Sequence, residues 1–195
     1  MAALRKASAY SRKKVRPYTR KSKSKNKAYI KAIPPIKIVK FNMGNVKAYN
    51  EGKHSYVVRL IADEKIQIRD NALEACRTLI SKTLEKNSPG QYYLSIKVYP
   101  HHILRENKIA AGAGADRLSS GMRHSFGVTT GRAAIVNAGK DVFFISCEND
   151  RVARIARDAL IPIKAKIPGR NKIVFGRIAL VPKVEKVKVL GFMNL

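Results

Sequence analysis

The residue types that could do chemistry are concentrated between Pro100 and Gly131. Four cations, Arg105, Lys108, Arg117 and Arg123, alternate there with five of the chain's twelve glycines. Cations can neutralise phosphates, and glycine lets the backbone approach a nucleic acid closely. A segment this long and this poor in large apolar side chains is either functional or disordered. The pattern indicates a segment that binds a polyanion.

The same stretch does not support a cofactor-binding loop or a catalytic pair of acidic side chains. The Gly112–Gly114 pattern suggests a dinucleotide loop, but Arg117 stands where the third glycine is needed, and no apolar strand directly precedes it. Glu106 and Asp116 lie in a cationic stretch and do not form a convincing acid–base pair. We therefore expect no enzyme, no cofactor and no small-molecule substrate.

A metal site is also not expected. Cys76 and Cys147 are the only cysteines, and two cysteines make no zinc motif. Both lie in apolar patterns, which predicts buried, reduced thiols. His101 and His102 are adjacent at the end of a predicted strand, so their side chains should point to opposite faces and cannot chelate a metal as a pair.

The net charge of +27 favours nucleic acid as the partner. Residues 1–50 hold fifteen Lys or Arg and no acid, and residues 161–195 hold eight basic residues and one acid. The basic N-terminus has no apolar helical face of the kind that binds a membrane surface. No apolar run is long enough to span a membrane, and no signal peptide is recognisable. We expect no membrane association and a reducing compartment.

The chain divides into a basic extension, 1–33, and one domain, 34–195, with an internal loop at about 101–131. The extension carries three tyrosines among its cations and ends before Pro34-Pro35. It is either a solvated arm or, as we prefer, an arm that enters RNA grooves with Arg and Lys on phosphates and tyrosines on bases.

Alternating and helical periodicities predict an α+β fold with a mostly antiparallel sheet and two helices. The helices begin near Asp70 and Asn149 and end near Asn87 and Pro162. Three arginines at threefold spacing on the second helix form either a solvated face or a phosphate-facing ridge. The predicted strands are 36–41, 55–61, 91–99, 132–137, 142–147, 164–167 and 172–180. The strand at 91–99 should be half-buried, and a turn at 138–140 should join the strands 132–137 and 142–147.

An ordered set of short motifs resembles one known family. It consists of Ala113–Leu118 (AGADRL), Gly121-Met122-Arg123, Phe126-Gly127, His102–Lys108 (HILRENK), Ala72–Arg77 (ALEACR), Pro168–Ile173 (PGRNKI) and Arg16-Pro17-Tyr18. The set is similar to the universal large-subunit ribosomal protein that is numbered sixteen in bacteria and ten-e in archaea and eukaryotes. The resemblance covers about residues 16–180, and the Lys- and Ile-rich composition favours the archaeal-type branch.

The resemblance implies a hammerhead-like α+β domain with a barrel-like antiparallel sheet. It also implies a non-catalytic, cytoplasmic protein that binds large-subunit ribosomal RNA beside the A-site tRNA, contacts neighbouring ribosomal proteins and supports late subunit assembly. The internal loop would point toward the peptidyl-transferase region and the acceptor end of the P-site tRNA. Glu106 departs from the family pattern, because it puts an acid into an RNA-facing run.

The candidate residues follow from the charge pattern and the resemblance together. Those expected to bind RNA are Arg12, Lys13, Lys14, Arg16, Tyr18, Arg20, Lys21, His102, Arg105, Lys108, Arg117, Arg123, Arg170 and Lys172. Those expected in the loop near tRNA are Ala110, Ala111, Gly112, Ala113 and Gly114. The alternatives are an RNA-binding or RNA-chaperone module that acts off the ribosome and an RNA-modifying enzyme.

Overall fold

Eight strands and three helices run through the residues that the computed structural model describes, which are Tyr10, 30–107, 121–123 and 125–177. In chain order they are β1 (Asn42–Gly44), α1 (Val46–Asn50), β2 (Tyr56–Ala62), β3 (Ile66–Arg69), α2 (Asp70–Asn87), β4 (Tyr92–Ile96), β5 (His102–Glu106), β6 (Val128–Val136), β7 (Asp141–Cys147), α3 (Asp150–Lys164) and β8 (Asn171–Arg177). The α+β class is confirmed. The number of helices is larger than predicted, because the five-residue α1 has too little periodicity to be seen in the sequence.

The strands form two antiparallel sheets. The first has five strands in the order β1-β4-β7-β2-β8, and the second has three in the order β3-β6-β5. The expected barrel-like sheet is wrong for the described residues. The two sheets do not close on each other, and β1 and β8 remain as edges of the first sheet within the described ranges.

Helix α3 packs on the five-stranded sheet, and α2 packs on α3 and on strands of both sheets. Leu73, Ile80 and Leu84 on α2 are fully buried, as are Leu60 and Phe143 on the sheet. Apolar side chains three or four residues apart lie on one side of a helix, so this stripe faces the strands. Their burial removes apolar area from water and stabilises the domain.

Helix ends differ in detail from the prediction. Asp70 is the first residue of α2 rather than its cap, and its carboxylate accepts hydrogen bonds from the backbone N–H groups of Asn71 at 2.8 Å and Lys37 at 3.2 Å. The expectation that Pro162 ends the second helix is wrong, because α3 continues to Lys164. Ile163 is fully buried, and this packing offsets the backbone hydrogen bond that a proline removes.

Two predicted strands are absent and one is buried differently. Residues 36–41 form no strand, and paired structure begins at Asn42. Residues 164–167 complete α3 and turn back, with the N–H of Lys166 donating to the Ile163 carbonyl at 2.9 Å. The predicted half-buried strand is β4, but all five of its residues are buried. Its second face is covered because the Tyr49 ring of α1 stacks on Tyr93 at 4.4 Å.

Strands β6 and β7 follow each other in the chain but enter different sheets. The turn predicted at 138–140 is present, with the N–H of Lys140 donating to Asn137 at 3.2 Å. Beyond it, β7 pairs with β2 and β4, whereas β6 pairs with β3 and β5. The segment between β5 and β6 is therefore joined at both ends to the three-stranded sheet.

Both cysteines are free and fully buried, as predicted. Burial raises the pKa of the Cys76 thiol to about 11 and that of Cys147 to about 12. The thiols are therefore protonated at neutral pH, where a protonated thiol is a poor nucleophile.

Candidate nucleic-acid interface

The internal loop leaves the domain from the end of the β5–β6 pair, where Glu106 lies opposite Val128. Arg105 stands one residue before this end. Its guanidinium lies 3.9 Å from the centre of the Phe126 ring, and its Nη1 donates to the Phe126 carbonyl at 2.7 Å. A cation held over an aromatic face keeps its charge while losing conformational freedom. Arg105 is thus a pre-positioned cation at the base of the loop.

Gly127 allows the two sides of the loop base to approach closely. Its φ is +75°, and a Cβ built on it would lie 2.7 Å from the carbonyl carbon of Glu106. Any other residue would meet backbone at this point and would also occupy a strained conformation. The Asn107 side-chain amide adds a second link by donating to the Gly121 carbonyl at 3.3 Å. We define the loop base as residues 105–107 together with 121, 126 and 127.

Glu106, at the loop base, also contacts the N-terminal extension. Its carboxylate accepts a hydrogen bond from the Tyr10 hydroxyl at 3.4 Å. Gln67 Nε2 donates to the Tyr10 carbonyl at 2.7 Å, and the Arg69 guanidinium lies 5.5 Å from the Tyr10 ring centre. The extension therefore touches the second sheet at Tyr10, and this tyrosine packs on the protein. The acid that departs from the family pattern has a partner within the chain.

The adjacent histidines point in opposite directions, as predicted. His102 is 4% exposed, and its pKa is lowered by burial and secondarily by the charge of Arg105. Its Nδ1 is buried without a hydrogen-bond partner among the described residues. His101 is exposed, and its ring centre is 4.5 Å from that of Tyr99. An RNA contact of His102 stays a prediction, and its burial assigns it a packing role in the isolated chain.

Arg170 and Lys172 form a second basic group away from the loop base. Their side chains are 87% and 60% exposed, and they approach Glu64 at 3.6 Å and Asp63 at 2.9 Å. Ion pairs this exposed hold their cations only weakly, so both remain available to a polyanion.

The two basic groups lie near opposite ends of β6. Ile66, whose side chain neighbours Gly169, pairs with Val136, whereas Glu106 pairs with Val128. Eight residues of strand separate these positions, or about 26 Å. The structure thus separates candidate residues that the sequence could only list together.

The remaining candidates are distributed as follows. Arg123 is exposed just beyond Gly121. The others lie outside the described residues and stay predictions: Arg12, Lys13, Lys14, Arg16, Tyr18, Arg20, Lys21, Lys108, Arg117, Ala110, Ala111, Gly112, Ala113 and Gly114.

One histidine–serine–carboxylate arrangement lies elsewhere in the domain. His54 Nδ1 is 2.6 Å from Ser146 Oγ, and His54 Nε2 is 3.9 Å from Glu148 Oε1. In serine hydrolases, a histidine that lies between a serine and a carboxylate activates the serine hydroxyl. Here His54 is 2% exposed and Ser146 fully buried, so a substrate cannot reach the hydroxyl in this conformation. Burial also lowers the pKa of His54, against the opposing charge of Glu148.

The described ranges offer neither a metal-binding cluster nor a membrane-spanning helix. Within them, no group of three or more potential metal-ligating side chains comes together. None of the helices found there combines the length and the apolar character that crossing a bilayer requires.

Comparison with known proteins assigns this geometry to a family. The sequence model of the family described as ribosomal protein L16p/L10e matches residues 13–174. The chain belongs to the ribosomal protein L16p/L10e family. The matched range of this L16p/L10e chain contains the loop base, the three-stranded sheet, the five-stranded sheet up to the middle of β8, and the second basic group.

Individual relatives agree with the family assignment. The chain is 44% identical over 173 residues to large ribosomal subunit protein uL16 of Staphylothermus marinus, covering 88% of this chain and 93% of the relative. It is 42% identical over 171 residues to the protein of that name from Pyrobaculum calidifontis, covering 87% and 92%. For Thermofilum pendens the identity is 43% over 159 residues, covering 81% and 88%. These relatives are archaeal, in agreement with the predicted branch.

The sequence missed several residues of the L16p/L10e loop base. Phe126 and Gly127 belong to a quoted motif, yet their contacts with Arg105 and Glu106 arise only from strand pairing. The α3 arginines, Arg151, Arg154 and Arg157, are exposed, and Arg154 pairs with Asp150 at 2.9 Å. Both interpretations of that face, solvated or phosphate-facing, remain open.

Proposed function

We propose that this chain is a non-catalytic structural constituent of the cytoplasmic large ribosomal subunit and that it binds the subunit's RNA. The observation that carries the proposal is the family match across residues 13–174, together with relatives that are named large ribosomal subunit proteins. The net charge of +27 fits this environment, because a protein packed into RNA must neutralise phosphates.

In finer detail, we propose that the internal loop points toward the peptidyl-transferase region beside the A-site tRNA and the acceptor end of the P-site tRNA. The geometry of the loop base supports this role. Arg105 is fixed against Phe126, and Gly127 lets the two strands approach closely, so the loop starts from a defined point. A pre-positioned cation loses less conformational entropy on binding RNA than a mobile one.

The second basic group supports contact with a separate stretch of ribosomal RNA. Arg170 and Lys172 are exposed, and the two positions of β6 that neighbour the basic groups, Val136 and Val128, are about 26 Å apart along the strand. Two cationic groups at this separation can hold the domain on RNA at two points. Contacts with neighbouring ribosomal proteins and a part in late subunit assembly belong to the same proposal.

The decisive experiment is quantitative mass spectrometry of large subunits purified through high-salt gradients. We expect one copy of this chain per subunit. An RNA chaperone that acts off the ribosome would wash off, and a substoichiometric amount in salt-washed subunits would overturn the proposal. Cofactor-dependent modification of ribosomal RNA by the purified chain would favour the enzyme alternative instead.

The basic extension is tested by the salt dependence of RNA binding. Deleting residues 1–33 should weaken the affinity and flatten the plot of log affinity against log salt. Each lost phosphate contact reduces the slope by about 0.7–0.9. A single charge removal at Lys53, which pairs with Glu51 at 2.7 Å, serves as the control. An unchanged slope after the deletion would remove the extension from the interface.

A further inference from the structure

Three aromatic rings form a column beside the start of β5. The rings of Phe41 and Tyr99 are stacked, with centres 5.4 Å apart and planes 17° apart. The His101 ring follows, its centre 4.5 Å from that of Tyr99 and its plane tilted by 45°. Because the last two rings are not parallel, they diverge on one side.

The inner end of the column is fixed and the outer end is open. Phe41 is partly buried and packs against the hydrophobic core, so it holds the column in place. Tyr99 is 42% exposed and His101 is exposed. The two exposed rings lie against each other and so offer a combined aromatic surface rather than a single exposed side chain.

The charge around the column selects the ligand. Lys40 is adjacent to Phe41 in sequence, Lys97 precedes Tyr99 by two residues, and both side chains are exposed. The Lys97 ammonium is held 4.7 Å from the centre of the Phe144 ring, on the same sheet. Exposed rings with exposed lysines close to them in the sequence match an unpaired nucleotide, whose base stacks while its phosphates meet the cations.

We infer that Tyr99 and His101, supported by Phe41, form a stacking site for an unpaired RNA base. The site is separate from the loop base and from Arg170 and Lys172, and it rests on the proposed function only in that the RNA is ribosomal. Strand geometry directs the two adjacent histidines to opposite faces. His102 packs inside the domain, and His101 extends the aromatic column outward.

The test compares a short single-stranded RNA with an abasic strand of equal length and charge. The full chain and its Tyr99→Leu, Tyr99→Phe and His101→Phe variants are titrated at matched salt. Tyr99→Leu should weaken binding of the base-bearing strand about fivefold or more, the usual contribution of one stacked base. The salt slope should stay unchanged, because no phosphate contact is lost. Tyr99→Phe and His101→Phe retain a ring and should bind normally.

The absence of tryptophan from the chain gives a direct second measurement. His101→Trp, at the open outer end of the column, introduces the only indole, and stacking should quench its fluorescence when the base-bearing strand binds but not when the abasic strand binds to the same extent. Phe175→Trp, at another exposed aromatic position, is the matched control and should respond equally to both strands.

Two results would overturn the inference. One is an equal loss of affinity for both strands in Tyr99→Leu, and the other is an unquenched indole at full occupancy. Neither would affect the stoichiometry of the chain in salt-washed subunits. Conversely, absence of the chain from those subunits would leave the stacking result standing, so the two failures are distinguishable.

Discussion

The five-stranded and three-stranded sheets use the same antiparallel pairing but are buried to different extents. Phe143 and Ile145 in the first sheet are fully buried, and α3 packs on their strand. In the second sheet, burial changes along one strand, because Val136 of β6 is 1% exposed whereas Val128 is 74% exposed. The first sheet stabilises the domain, and the open end of the second presents the loop. Segments with few buried contacts open at the lowest free-energy cost. A conformational change on ligand binding at the exposed end of the second sheet would therefore disturb the fold least.

The largest effect expected from this contrast follows truncation of a core side chain. Phe143→Ala should lower the free energy of unfolding by about 3–5 kcal/mol, because it removes a fully buried ring and leaves a cavity. Val128→Ala, at the exposed end of β6, should change it by less than about 0.5 kcal/mol. Urea unfolding followed by circular dichroism measures both, and similar losses would abolish the distinction between the sheets.

The next effect concerns the close approach at the loop base. Gly127→Ala should cost about 1–3 kcal/mol locally, because the new Cβ meets the Glu106 backbone and φ is positive. Amide hydrogen exchange should accelerate in residues 102–106 and 128–130. Gly131→Ala is the control, since a Cβ there has no atom within 4 Å. Unaltered exchange in the first variant would show that the base tolerates a side chain.

The third effect is a dependence of stability on pH. Burial lowers the pKa of His54 and His102, so the folded chain holds both neutral while the unfolded chain protonates them near pH 6.5. The stabilisation is complete above that pH and is lost as the pH falls below it, by at most about 1.4 kcal/mol per pH unit for each histidine.

The His102→Phe variant isolates the contribution of the second sheet. It should reduce the slope of unfolding free energy against pH between pH 7 and 5.5, whatever its effect on absolute stability. His101→Phe, at the exposed neighbour, provides the comparison. An identical slope in wild type and His102→Phe would mean that His102 is not held neutral by burial.

The smallest effect is the contact of the extension with the loop base. A double-mutant cycle of Tyr10→Phe and Glu106→Gln should give a coupling of about 0.5 kcal/mol, since the hydrogen bond is long and partly exposed. Tyr10→Phe combined with Glu64→Gln, near Arg170, should give no coupling. Equal couplings in the two cycles would exclude a specific link between Tyr10 and Glu106.

Local patterns predicted the elements whose signal is contained in their own residues. The apolar stripes of α2 and α3 and the apolar runs of β2 and β7 identified them directly. The short strands β1, β3 and β5 and the five-residue α1 were missed, because so few residues do not make a periodic pattern distinct, and β5 lies within the predicted loop. The predicted strand at 36–41 is absent because its N–H groups at Lys37 and Val39 donate to carboxylates on α2.

The candidate interface was predicted as a set of residue types and not as a surface. Charge and motif identified Arg105, Arg123, Arg170 and Lys172 from sequence alone. Their division into two groups depends on which strands pair, and pairing joins residues far apart in the chain. The burial of His102 and the Tyr10–Glu106 contact depend on the same long-range pairing.

The sequence by itself determined the family, the α+β class, the basic character and the two cysteines as buried thiols. These properties depend on residue counts or on patterns among neighbouring residues, and both can be read from the linear sequence. Tertiary structure alone decided that β6 and β7 part into two sheets and that the loop base is closed by Gly127. It also brought Phe41, Tyr99 and His101 into one column. The physical reason is that hydrogen bonds between strands and ring contacts depend on distances in space, which a linear pattern does not contain.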